Sequence, residues 1–83
     1  MHGVLVKTNG DVIEVDYKDI AKVIGCQWFE IFPLTINDEI YDIYVDEEGY
    51  HNRAQLNVKM NGLLGDVLIT KEGGLTMVEV KSI

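Results

Sequence analysis

The dipeptide Asn9-Gly10 stands between two runs rich in branched aliphatic residues, Gly3-Val4-Leu5-Val6 and Val12-Ile13-Glu14-Val15. In that setting Asn-Gly is the strongest short-range hairpin signal, because a type I′ turn needs positive φ at both central residues and this pair tolerates it. A two-residue loop at Asn9-Gly10 pairs Val6 with Ile13 and Val4 with Val15. One face is then wholly β-branched and apolar. The other is mixed, with Leu5 facing Glu14 and Lys7 facing Val12. Turn chemistry and face pattern agree, and that agreement predicts the register.

A short helix is expected next. Asp16 can cap it, Asp19 sits near its N-terminus, and Ile20, Val23 and Ile24 fall on one face, with Gly25 placed to end it in the left-handed conformation. Residues 26–34, Cys-Gln-Trp-Phe-Glu-Ile-Phe-Pro-Leu, read as a strand closed by Pro33, and residues 35–39 as a connecting loop. Residues 40–48 alternate: Tyr41, Ile43 and Val45 on one face, Asp42, Tyr44 and Asp46 on the other. Over 50–64 a weak helix is predicted, with Asn52 as cap and Ala54, Val58 and Leu56 or Met60 inward; its asparagines and Gly62 oppose it. Two last strands, 65–71 and 75–82, flank Glu72-Gly73-Gly74. The expected order is β-β-α-β-β-(α)-β-β. This is an α+β fold, a single domain over residues 1–83, with a mainly antiparallel sheet of about five to six strands and one or two short helices on one side.

A domain of 83 residues buries a modest share of its surface, and oligomerisation is an expected aid to its stability. Cys26 is the single cysteine, so no internal disulfide can form. Met1-His2-Gly3 leads straight into a strand-like segment, and no apolar run reaches the ~18 residues of a membrane span, so a cytoplasmic setting is expected, with no membrane partner.

The net charge of −7 is unevenly placed. No base lies between Lys22 and Arg53, a stretch holding Glu30, Asp38, Glu39, Asp42, Asp46, Glu47 and Glu48. The rest of the chain holds seven acids and seven bases, so this segment carries the whole excess. Such a field repels DNA and RNA and argues against direct nucleic-acid binding. It reads either as a solvated face that maintains solubility or as a surface for a basic partner.

Chemistry-bearing patterns are sparse. His2, His51 and Cys26 lack the spacing of a metal site, and Asp46-Glu47-Glu48-Gly49 lacks the alternating oxygen ligands of a calcium loop. Cys26 has no basic neighbour in sequence, and Gly73-Gly74 lacks the Lys-Ser/Thr of a phosphate loop. No catalytic residue, metal or cofactor is expected. Two clusters are candidates for binding. Tyr50, His51, Asn52, Arg53 and Gln55 gather a stacking face, amide edges and the only arginine, which suits a phosphate or carboxylate. Trp28 and Tyr44 lie among Asp42, Asp46, Glu47 and Glu48, a pattern of aromatic anchors on an acidic surface that suits a protein contact.

The succession of Gly3-Val4-Leu5-Val6-Lys7, Phe29-Glu30-Ile31-Phe32-Pro33-Leu34, Tyr44-Val45-Asp46-Glu47-Glu48-Gly49, Asn52-Arg53-Ala54 and Gly65-Asp66-Val67-Leu68-Ile69 resembles a small family of domains of unknown function found in bacteria, phages and plasmids. The resemblance spans nearly the whole chain and implies no catalytic residues. It implies a phage or mobile-element accessory protein that counteracts a host or defence factor by binding it in the host cytoplasm. The alternative is a protein that sequesters a nucleotide-like signal near Arg53 at a homo-oligomer interface.

Overall fold

The computed structural model describes residues 1–52, 54–60 and 62–83. Strands β1 (His2–Val6), β2 (Val12–Asp16), β3 (Phe29–Ile36), β4 (Glu39–Asp46) and β5 (Val67–Thr70) form one antiparallel sheet in the order β2-β1-β5-β4-β3. Among the described residues, two five-residue helices accompany it, α1 (Ile20–Ile24) and α2 (Met77–Lys81). The expected α+β architecture holds at this level, with the balance toward sheet.

The first hairpin forms where expected but in another register. Val6 pairs with Val12, Leu5 with Ile13 and Val4 with Glu14. Only Gly10 takes positive φ (95°), so the loop has three residues, closed by Gly10 N–H to Lys7 O (2.9 Å) and Lys7 N–H to Asp11 O (2.8 Å). Asn9 spends its side chain on the loop instead: its Oδ1 accepts from the Asp11 amide at 2.9 Å. A glycine bulge of this kind shifts the pairing by one residue and exchanges the facing of every partner. The two-residue turn with positive φ at both centres is found elsewhere, at Asn37 (52°) and Asp38 (66°), joining β3 to β4. The connecting loop expected over 35–39 is therefore mostly strand.

Helix α1 ends as predicted, with Gly25 at φ 81°. Its cap is Asp19 rather than Asp16; the Asp19 carboxylate accepts from the Lys22 amide at 3.3 Å. The segment expected as a last strand contains α2. Thr76 Oγ1 accepts from Glu79 N–H (3.2 Å), a Thr-x-x-Glu start, and Leu75 and Val80, on either side of that cap, both enter the core. Capping and this apolar staple outweigh the β-branched content of Val78 and Val80.

No helix forms in the described part of 50–64. Val58 and Leu56 stand exposed, while Met60 is buried. Asn57, 2% exposed, organises the segment. Its Nδ2 donates to Val6 O and Gly65 O, both at 3.0 Å, and its Oδ1 accepts from the amides of Lys59 (3.1 Å) and Met60 (2.9 Å). Leu56 bridges Leu64 in antiparallel fashion. The amide side chain thus supplies, from one point, bonds that a helix would have supplied along its axis.

Both faces of the sheet are covered. Val4, Val6, Tyr41, Ile43, Val45, Val67 and Ile69 share one face with Met60, Leu75 and Val80 of α2. Tyr44 and Leu68 share the other with Tyr17 and Ile24 of α1. The helices consequently lie on opposite faces, not on one side as expected. The reason is topological. β2 and β3 occupy opposite edges, so the chain from Tyr17 to Trp28 must cross four strand spacings, about 19 Å, and it crosses over the second face.

Candidate functional site

The acidic segment builds one edge of the molecule. Glu30, Asp38, Glu39, Asp42, Asp46, Glu47 and Glu48 all lie on the β3–β4 hairpin or in the turn that follows it, with Asp46 and Glu48 half-buried and the others exposed. Four large apolar side chains are exposed on or next to the same elements: Trp28 (60%), just before β3, Ile31 (54%), Ile40 (62%) and Tyr50 (88%). β3 is an edge strand, and no other described strand pairs with its outer side.

The hydrogen-bond ladder fixes which backbone groups face outward. Glu47 N–H donates to Trp28 O (2.9 Å), and register then makes 30/45, 32/43, 34/41 and 36/39 the bonded pairs. Phe29, Ile31, Pro33 and Thr35 direct their backbone groups to the open side. Pro33 sits inside the edge strand rather than closing it, and its missing N–H falls on the outward row, where it blunts strand addition.

The interaction residues expected from sequence divide here. Trp28, Asp42 and Glu47 are on the surface. Tyr44 is not: it is 9% exposed and packs on Phe29, ring centroids 6.0 Å apart, beneath α1. Its placement as a surface anchor is corrected because alternation puts a residue on the opposite face but does not leave that face bare. Asp46 is structural in part, its Oδ1 accepting from Glu48 N–H (2.8 Å) and its Oδ2 from Asn52 Nδ2 (2.9 Å). Asn52 therefore closes a turn instead of capping a helix.

The ligand candidates gather only loosely. Tyr50, His51, Asn52 and Gln55 are all exposed; Arg53 lies outside the described residues. Tyr50 lines a cleft of about 230 Å³ with Glu30, Asp46, Glu47, Leu63 and Leu64. Three carboxylates on an apolar floor beside a ring suit a cationic side chain better than a phosphate.

A second cleft, of about 420 Å³, lies at the other end of the hairpin, lined by Asp38, Glu39, Ile40, Asp42, Lys71 and Glu72. Lys71 is committed there: its Nζ is 2.8 Å from Glu39 and 2.6 Å from Glu79, and 5.7 Å from the Tyr41 ring centre. Hydrogen bonds to the two carboxylates hold the ammonium well above its ordinary pKa. No pattern in the chain announces this clamp, since the partners of Lys71 come from β4 and α2, elements separate from it in sequence. Ile31 and Ile40 were also missed; alternation from Asp42 and Tyr44 puts Ile40 on the second face, but it does not tell which part of that face α1 leaves open.

Cys26 is half-buried. Burial, then the carboxylates of Asp46 and Asp19, push its thiol up, the opposite of what a nucleophile requires.

The chain matches no protein-family model, no curated protein and no solved structure.

Proposed function

We propose that this protein is a non-catalytic binding module whose edge hairpin, β3–β4, engages a basic surface of a protein partner. One observation carries the reading: a single edge of the domain gathers all seven acids of the base-free segment together with exposed Trp28, Ile31, Ile40 and Tyr50. A face that served solubility alone has no use for four large apolar side chains, and apolar anchors ringed by charge are the anatomy of a protein interface. The charge speeds encounter and selects against acidic partners; the apolar groups hold the complex. The mobile-element setting implied by the family resemblance makes a host or defence protein the expected partner.

The test compares capture from host lysate by wild-type protein and by a variant carrying Asp42→Asn, Glu47→Gln and Trp28→Ser. A basic protein held by the wild type at low salt, released at high salt and not held by the variant is the expected result. Equal capture by both proteins, or capture insensitive to salt, would overturn the reading.

A further inference from the structure

The second face of the sheet is only half covered. Across it run same-face rows: Ile31–Tyr44–Leu68–Leu5–Ile13, then Pro33 beside Asp42 and Thr70, then Thr35 beside Ile40. Helix α1 closes over Tyr44 and Leu68, carrying Ile20, Val23 and Ile24 onto them. Its path from the β2 edge toward Phe29 leaves the corner built by β3 and the start of β4 bare. There Ile31, Pro33, Thr35, Ile40 and Asp42 are exposed together on one face. Ile31 and Ile40 sit two same-face rows apart, roughly 13 Å along the strands, with Pro33 between them.

We infer that this corner docks a basic amphipathic helix of the partner, laid beside α1 as a continuation of the helical layer. The inference rests on the binding reading above and names its location and ligand class. Two features select that occupant. The surface is the continuation of a sheet face that α1 already covers with aliphatic side chains, so a second apolar helical stripe meets the same chemistry. Among the described residues, the adjoining cleft presents Asp38, Glu39, Asp42 and Glu72 against Lys71, four carboxylates to one ammonium, and that ammonium is held by Glu39 and Glu79. Lysine or arginine flanking the partner's apolar stripe meets the remaining acids. A second copy of this chain, with a net charge of −7, brings like charge to the same corner.

The test uses a designed helical peptide with leucine along one face and lysine along its flanks, titrated into isotopically labelled protein. Shifts centred on Ile31, Thr35, Ile40 and Asp42 are expected, with affinity falling at least tenfold in Ile40→Lys and unchanged in Val78→Ser, a control on α2. A leucine peptide flanked by glutamate should leave the spectrum unmoved. Shifts centred on Trp28 and Tyr50 would sink this corner while leaving the acidic-edge reading intact. Absence of any binding to the lysine peptide would count against both. A concentration-dependent dimer that Ile40→Lys dissociates would replace the partner helix with a second copy and overturn the inference. Folding of Ile40→Lys is verified by circular dichroism; Ile40→Ser, which removes apolar contact without adding charge, gives an independent reading of the same surface.

Discussion

Replacing Asn57 with alanine removes four hydrogen bonds at once: two to the carbonyls of Val6 and Gly65 and two from the amides of Lys59 and Met60. Met60 is buried, so its amide loses its partner away from water; the Val6 carbonyl, paired with Val67, keeps its ladder bond to β5, and Gly65 and Lys59 are half-buried and can rehydrate. An unsatisfied buried group costs about 1–3 kcal/mol, which places the loss near 2 kcal/mol. A domain of this length holds only about 4–12 kcal/mol in total, so the loss consumes a substantial share of it. The melting temperature should fall by roughly 8–16 °C, taking about 2 kcal/mol and 4–8 °C for each. Urea unfolding followed by circular dichroism measures the effect, and amide exchange localises it: Asn57 N–H, bonded to Leu63 O, and Val58 N–H, bonded to Thr8 O, should lose protection first. Asn57→Asp separates the two halves of the network. It retains the acceptor for Lys59 and Met60 but points a carboxylate at two carbonyls, so its deficit should shrink on acidification, when the acid is protonated and can donate. An alanine variant within about 0.5 kcal/mol of wild type, the range of ordinary surface substitutions, would refute the view that Asn57 holds the 54–66 segment.

Other consequences are equally open to measurement. Pro33→Thr restores an outward N–H in the middle of β3 and should shift the protein to larger species in size-exclusion chromatography with light scattering; an unchanged profile would refute the blunted-edge argument. Lys71→Met should destabilise the fold at neutral pH. Because pairing raises the folded-state pKa above the usual lysine value of 10.5, that stabilisation is complete below about pH 10.5 and is lost as pH rises past it, so the gap between wild type and variant should narrow at strongly alkaline pH. Burial, then the neighbouring Tyr44, raises the pKa of Tyr17 above 10.0, so stability also falls with rising pH above about 10 even in the variant. Cys26 should alkylate more slowly than a free thiol at pH 8, and a faster rate would contradict its placement among burial and carboxylates.

What the sequence made legible was local. Gly25 stops α1 in the left-handed conformation where the sequence placed it, whereas the cap fell to Asp19, three residues beyond the expected Asp16. Asn9-Gly10 marked a turn, but its register depended on whether Asn9 adopted positive φ or bonded the Asp11 amide, and the dipeptide permits both. Residues 75–82 misled because Val78 and Val80 fit a strand; the Thr76-x-x-Glu79 start was the signal that decided it. Asn57 could not be read at all, since its partners Val6 and Gly65 are brought to it by the sheet. The candidate site was half legible. The base-free segment and Trp28 were visible in the chain. The burial of Tyr44 and the exposure of Ile31 and Ile40 follow from the path of α1 across the second face, which no pattern within one strand encodes.

The central claim is that the acidic edge is a binding surface. Its most direct test is amide hydrogen exchange across the whole chain, with and without a basic partner captured by the wild-type protein. The amides of Ile31 and Thr35, which point out from the open edge, and the residues of the Ile36–Glu39 turn should gain protection in the complex. The β2 edge and α2 should be unchanged. Protection confined to β2 and α2, with the β3–β4 hairpin exchanging as in the free protein, would contradict the account.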